Sequence, residues 1–313
     1  MKYSDVFCKK SSRIVLGTTY FGSSTSEADA FSLMDRYCEL GGTHIDTARM
    51  YSDGEAEKVI GKWIKSRGKS DILVSTKGGF SSKDTPEIAR LSRSEIFFDV
   101  DLSLLALSVD CIDFYWLHRD DVQIPVGEII VYMNELVKMG KIRAFGASNW
   151  SFERIREANE YASAHGLSGF SASQVRFSPA VINELEKGLV SIDRDSFEYY
   201  SSINMPIVSF SSQAKGFFSK MHSGGKSSLS PKAAERYFNE KNCQTLTIIE
   251  KIAKNHGCSV AAVIGAAFSA LEKPEVFAII GASNIPQLED SMSAGDVSLD
   301  KSEALAVFKN VIG

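Results

Sequence analysis

Eight short apolar runs recur along the chain, each followed by residues whose apolar positions return every three or four places, and this alternation restricts the fold more than any other feature. The runs lie at 14–16, 43–47, 72–76, 112–117, 142–147, 170–175, 206–210 and 276–280. Helix signals fill the gaps between them. From Ser26 a pattern with Phe31, Met34 and Cys38 on one side stops at Gly41 and Gly42, residues 55–67 are closed by Gly68, and Ser92 or Ser94 can cap a helix reaching Leu107. Residues 126–139 end at Gly140, and Ser151 can cap a helix running to His165. A weaker pattern over 178–200 must hold the helix before the seventh run. Residues 244–256 and 259–271 lead into the eighth, and 285–294 and 301–311 supply the last helices. The Gly-, Ser- and Lys-rich stretch 215–230 reads as a long mobile loop.

Strands alternating with helices, with no shift in composition between the halves, predict a single-domain α/β fold, a (β/α)8 barrel over 1–313, in preference to an open doubly wound sheet. Hydrophobic residues at 44% and charged residues at 24% suit a chain that folds alone. Lys and Arg number 35 against 39 Asp and Glu, a net charge of −4 that speaks against a nucleic-acid partner. No apolar run approaches the roughly 20 residues that span a bilayer, and residues 1–10 lack the apolar core of a signal peptide. The five cysteines are irregularly spaced with no C-x-x-C pair, so neither a disulfide framework nor a metal site is expected, and a reducing cytoplasm is. Nothing in the pattern decides the oligomeric state.

A barrel of this kind gathers its chemistry where the strands end. Asp46, Lys77 and His118 fall at the ends of the second, third and fourth runs, and Tyr51 follows in the loop beyond Asp46. Tyrosine is a weak acid at neutral pH unless a cation stands beside its oxygen, and Lys77, kept charged by Asp46, is the cation available. A neutral His118 could polarise or position a carbonyl oxygen. The set suits carbonyl reduction, in which hydride reaches carbon and a proton reaches oxygen. None of these side chains supplies hydride, so a nicotinamide cofactor is required.

The segments that carry these residues, LGTTYFG at 16–22, IDTARMY at 45–51, STKGG at 75–79 and LHRDD at 117–121, continue with GKIRAFGASNW at 140–150 and IGASN at 280–284. Along nearly its whole length the chain resembles the aldo-keto reductase family. The resemblance implies a catalytic tetrad of Asp46, Tyr51, Lys77 and His118 with Tyr51 as general acid, and a cofactor lying across the barrel mouth. The absence of any G-x-G-x-x-G after a strand agrees with that. It places Gly17, Thr18 and Asp46 beside the cofactor, Ser148, Asn149 and Gln174 on its carboxamide, and Phe210, where the family often has tyrosine, against its ring. Ser211, Ser212, Gln213 and Gly216 match the diphosphate loop, and Gly281, Ser283, Gln287, Asp290 and Ser291 the adenosine end.

Ser291 replaces a common asparagine, and no lysine or arginine occurs between Ala278 and Ser293 where many members meet a 2′-phosphate. NADPH is expected on resemblance, with NADH possible. For the small-molecule carbonyl substrate, Tyr20, Tyr51, Phe80, His118, Arg119 and Trp150 are the expected contacts, with Phe21, Met50 and Trp116 as further apolar wall and Asp120 beside Arg119. Residues 301–313 provide little more than a final helix, from which an open mouth and broad specificity are expected. Two other readings stay open: a nucleotide-sensing regulatory subunit with little turnover, like the channel-associated members, and a Schiff-base role for Lys77, against which the neighbouring Asp46 argues.

Overall fold

The computed structural model describes residues 1–68, 71–81 and 89–313. Each of the eight runs overlaps one strand, and four of the strands extend one or two residues past their runs: β3 (Ile14–Gly17), β4 (His44–Asp46), β5 (Leu73–Gly78), β6 (Phe114–Leu117), β7 (Phe145–Ser148), β8 (Ser173–Arg176), β9 (Ile207–Phe210) and β10 (Val276–Ile280). All pair in parallel, and β10 pairs with both β9 and β3 to close the barrel. The fold is therefore the expected (β/α)8 barrel. Several strands begin later than their runs because the leading residues are entry turns; Ile112 and Ile142, for example, meet in an isolated bridge below β6 and β7.

The period of two along each strand decides what faces the lumen. Leu73, Ser75 and Lys77 share one face of β5, as do Phe114, Trp116 and His118 of the β6 segment. The lower lumen is a separate apolar cluster of Phe7, Val15, Leu73, Phe114, Trp116, Ala172, Val208 and Phe277. Trp116 is fully buried there, so it belongs to the barrel core and not to a substrate wall. Gly146 makes room for it, since a Cβ at that position would lie 2.5 Å from the indole. Below, a short antiparallel hairpin of β1 (Tyr3–Ser4) and β2 (Ser11–Ser12) delivers Phe7 as a plug, edge-on to Phe114 and Phe277 at 5.0 Å each. Two-residue strands leave no periodic trace, and the sequence gives no warning of this hairpin.

The outer layer is helical: α1 (Glu27–Glu39), α2 (Glu55–Arg67), α3 (Arg93–Leu107), α4 (Val126–Lys138), α5 (Phe152–Ala164) and α6 (Arg194–Ser202), then α7 (Phe217–Gly224), α8 (Pro231–Tyr237), α9 (Glu240–His256), α10 (Val260–Ala270), α11 (Ile285–Met292), α12 (Lys301–Val307) and α13 (Lys309–Ile312). Ser26, Ser151 and Ser259 cap as their positions suggest, and Ser92, not Ser94, caps α3 in a reciprocal box with Glu95.

Two expectations need correction. The stretch 215–230 is not an open loop: α7 and a following 3-10 turn occupy most of it. Phe217 and Phe218 are fully buried and anchor it, while Ser228 donates to the carbonyls of Lys220 and Gly225, so its serines close turns instead of loosening them. Of 178–200, only the part from Arg194 onward is helical. The preceding residues return to the end of β8, where the Arg176 and Ile192 amides donate to Val190 and Arg176 carbonyls at 2.9 Å each.

Candidate active site

Lys77 sits one residue from the end of β5 and Asp46 at the end of β4, both almost completely buried in the upper lumen. The Lys77 ammonium donates to Asp46 Oδ2 at 2.5 Å and to the Thr47 carbonyl at 2.6 Å. Asp46 Oδ1 accepts from Ser75 Oγ at 2.7 Å and from Gln174 Nε2 at 3.0 Å, so three donors hold the carboxylate. Burial alone would push the ammonium toward neutrality, but Asp46 and Tyr51 hold its pKa above the usual lysine value. Lys77 is a fixed cation in a buried lumen, with its nitrogen 5.0 Å from the centre of the Tyr51 ring.

The tyrosine arrives on a tight turn. Tyr51 opens a 3-10 segment in which Ser52, Asp53 and Gly54 all have positive φ, a left-handed stretch unusual for non-glycine residues. Two anchors hold it. The Arg49 amide donates to the Lys77 carbonyl at 2.9 Å, and the Arg49 guanidinium meets Glu57 of α2 at 2.6 Å. Glu57 is completely buried and also accepts from Thr76 of β5, which ties the turn to the barrel wall.

His118 follows β6, its ring edge-on to Tyr51 at 6.0 Å and tilted against Phe80 at 4.9 Å. Burial, then Lys77 and Arg119, keep its pKa well below the usual histidine value, so the ring is neutral at physiological pH. Its Nδ1 has no hydrogen-bond partner among the described residues. The four ionisable groups thus converge on one end of the lumen, two of them an ion pair, one a neutral imidazole and one a phenol. Such a group has the makings of a proton-transfer site, with a cation, a neutral imidazole and a phenol within reach of one another.

On the adjoining strand ends, Asn149 takes a positive φ of 60° and donates through Nδ2 to Ser148 Oγ at 3.1 Å and to the His118 carbonyl at 3.3 Å. Its amide donates to the Gln174 carbonyl at 3.0 Å, so Ser148, Asn149 and Gln174 form one polar row continuous with Asp46. Gly17 pairs with Asp46 at the strand ends, and Thr18, fully buried, donates to the Asp46 carbonyl at 3.0 Å. Phe210 ends β9 half-buried.

Beyond it, Ser211, Ala214, Lys215 and Gly216 all have positive φ and coil the segment. Ser212 is buried and donates to the Ile279 carbonyl at 2.5 Å, and Gln213 Nε2 reaches Ser291 Oγ at 3.0 Å, joining the loop expected at a diphosphate to the one expected at an adenosine. Gly281 is exposed with open space where a Cβ would stand, the Ser283 amide donates to Gln287 Oε1 at 3.0 Å, and Asp290 is exposed.

At the rim, Tyr20 is exposed, and the Arg119 guanidinium lies 5.1 Å over Phe80. Burial draws the Arg119 pKa down while Tyr51 opposes the change. Trp150 does not face the mouth. It is fully buried against Phe170 at 5.0 Å, and its indole N–H donates to the Arg119 carbonyl at 3.0 Å, so it supports the arginine segment from behind. Asp120 is engaged by Arg154 at 3.2 Å.

Three polar residues that sequence reading passed over also lie in or on the lumen. His44 and Ser75 are completely buried beneath Asp46. Arg176 at the end of β8 is buried with the Tyr237 hydroxyl as its side-chain hydrogen-bond partner at 3.2 Å. The period of two would have placed all three on the lumen face, had polar strand residues been sorted by parity.

Fold and site together define a barrel oxidoreductase whose chemistry is organised at the C-terminal mouth. The family model for the aldo/keto reductase family matches residues 13–309, and the chain belongs to that family. Among similar proteins, the aldo-keto reductase str7 of Strobilurus tenacellus is 28% identical over 93% of this chain and 83% of its own length. The aldo-keto reductase yakc [NADP(+)] of Schizosaccharomyces pombe is 30% identical over 89% and 81%. A crystal structure of the thermostable aldo-keto reductase Tm1743 with the inhibitor epalrestat superposes over 100% of both chains with a TM-score of 0.72 at 24% identity, a likeness of fold. The protein is accordingly an oxidoreductase of the NAD(P)H-dependent carbonyl-reducing kind. Among the described residues no helix is long and apolar enough to cross a membrane.

Proposed function

We propose that this chain reduces an aldehyde or ketone to the alcohol, with Tyr51 as the acid that protonates the carbonyl oxygen and NADPH as the preferred cofactor. One observation carries the reading: the Lys77 ammonium, clamped by Asp46 at 2.5 Å, stands beside Tyr51 in a buried lumen. A nicotinamide cofactor, when bound, supplies the hydride. The residues at the mouth fit such a group. The Ser148, Asn149 and Gln174 row offers amide and hydroxyl groups complementary to a carboxamide, Phe210 offers a half-buried aromatic face, and Gly281 leaves open space.

Asp46 keeps Lys77 charged, Lys77 favours departure of the Tyr51 proton, and neutral His118 orients the oxygen that receives it. We assign Gly17, Thr18 and Asp46 to the cofactor-facing floor. Ser211, Ser212, Gln213 and Gly216 hold the diphosphate, and Gly281, Ser283, Gln287, Asp290 and Ser291 hold the adenosine. The relative whose name carries NADP(+) supports NADPH. With no lysine or arginine from Ala278 to Ser293, Ser283, Asn284 and Gln287 must hold a 2′-phosphate through neutral hydrogen bonds, and NADH is the alternative donor. Tyr20, Phe80 and Arg119 frame the substrate together with Tyr51 and His118. The irregular spacing of the five cysteines, with no C-x-x-C pair, is the ground on which we place the chain in a reducing, cytoplasmic setting.

Tyr51→Phe tests the assignment. Turnover should fall roughly 10²- to 10⁴-fold, as for a lost acid catalyst, while the NADPH dissociation constant stays unchanged. A variant as active as the parent would refute it.

A further inference from the structure

Beneath the proton-transfer group, a line of hydrogen bonds descends through the lumen to the hairpin at the barrel floor. Ser75 Oγ lies 2.7 Å from Asp46 Oδ1, His44 Nε2 lies 3.0 Å from Ser75 Oγ, and Ser11 Oγ lies 2.9 Å from His44 Nδ1. Ser11, His44 and Ser75 are each completely buried.

The placement of every proton follows from the ends inward. A carboxylate only accepts, so the Ser75 hydroxyl proton points to Asp46. Ser75 Oγ must then accept from His44, which puts the imidazole proton on Nε2. Burial, and then the Lys77 charge, push the His44 pKa down to about 3, so the ring is neutral and its bare Nδ1, at 2.9 Å, is the nearer acceptor for the Ser11 hydroxyl, the Ser12 carbonyl lying at 3.3 Å. The other neighbours fix the ring without competing for its nitrogens. Phe7 packs edge-on at 5.4 Å, and the Tyr37 hydroxyl of α1 donates to the His44 carbonyl at 2.8 Å.

We infer that Ser11, His44 and Ser75 form a one-way hydrogen-bond relay that aligns the Asp46 carboxylate against Lys77, making His44 a positioning residue for the reaction at the opposite end of the lumen. The inference rests on the proposed role of Asp46, Lys77 and Tyr51. Its physical basis is that a buried chain of hydrogen bonds polarises along its length, and that a serine held as donor cannot rotate away from the carboxylate it serves. An apolar side chain at position 44 would fill the same space and leave the Ser75 hydroxyl unanchored.

The test combines a spectroscopic readout with kinetics. Long-range 1H–15N correlation spectra of the full chain should show His44 as the neutral Nε2–H tautomer throughout pH 5–9, and Ser11→Ala should alter its Nδ1 shift. A protonated ring, or an Nδ1–H tautomer, would overturn the relay whether or not Tyr51 is the acid, so its failure is distinguishable from failure of the functional reading. In steady-state kinetics, His44→Phe and Ser75→Ala should each lower kcat about two- to tenfold, the scale of one hydrogen bond, with the NADPH dissociation constant and melting profile monitored as controls. The double variant should be no slower than the slower single variant, and the basic limb of the kcat–pH profile should move to lower pH as Lys77 loses its aligned counter-ion. Independent, multiplicative losses with an unmoved pH profile would reduce His44 to a packing residue.

Discussion

His44 and His118 occupy one lumen and are both held neutral, the first with both ring nitrogens engaged and the second with Nδ1 unpartnered among the described residues. Each has a pKa below its unfolded value, chiefly through burial, His44 at about 3. Below an unfolded histidine pKa near 6.5 the unfolded chain therefore binds protons that the native chain refuses. Stability from both groups is complete above about pH 6.5 and declines as pH falls below it, for His44 down to about pH 3. The slope should approach ~1.4 kcal/mol per pH unit for each histidine. Urea midpoints between pH 7 and 4 should reveal this, with a shallower decline in His44→Phe; an identical decline in that variant would contradict the buried neutral state.

The sequence showed the four groups at the mouth because a strand end advertises itself, a polar residue closing an apolar run. His44 and Ser75 were invisible by the same rule, since a polar residue inside a run reads as a dilution of it. Trp150 was misplaced because the strand-end pattern says where a residue sits along the axis, not whether its ring turns inward or back against Phe170.

Among elements, β7 shows how closely the lumen is fitted. An added Cβ at Gly146 would stand 2.5 Å from the Trp116 ring on β6 and 2.7 Å from the Ala172 carbonyl before β8. Neither neighbour can withdraw, because Trp116 is completely buried and the carbonyl belongs to the barrel wall. Gly146→Ala should cost about 1–3 kcal/mol, as overpacking does, and lower the melting temperature by several degrees. An unchanged melting temperature would mean that the lumen has slack that the packing does not show.

Helices marked by a local end signal, the Ser151 cap of α5 or the Gly68 stop of α2, were legible to within a residue or two. The segment 215–230 was not. Its composition is that of a loop, and only the burial of Phe217 and Phe218 against the rest of the fold makes it helical. The β1–β2 hairpin is a similar case: its order comes from Phe7 plugging the floor, a tertiary contact that no window of residues contains.

For the whole molecule, eight runs in register with eight helical gaps were enough to specify a closed barrel, because an α/β chain of this pattern has few ways to bury both faces of its strands. What the pattern leaves open is the partner of the mouth. Substrate and cofactor preference depend on loops whose side chains are chosen for the ligand and not for the fold. In the proposed cofactor site, the segment assigned to the adenosine would offer serine, asparagine and glutamine, with no lysine or arginine from Ala278 to Ser293 to favour a 2′-phosphate.

The most direct measurement is titration of the purified protein with NADPH and with NADH, followed by absorbance decay at the nicotinamide band with a panel of aldehydes and ketones. The account predicts saturable binding of NADPH and carbonyl-dependent loss of absorbance. Saturable binding without turnover on any carbonyl, or no binding of either dinucleotide, would contradict it.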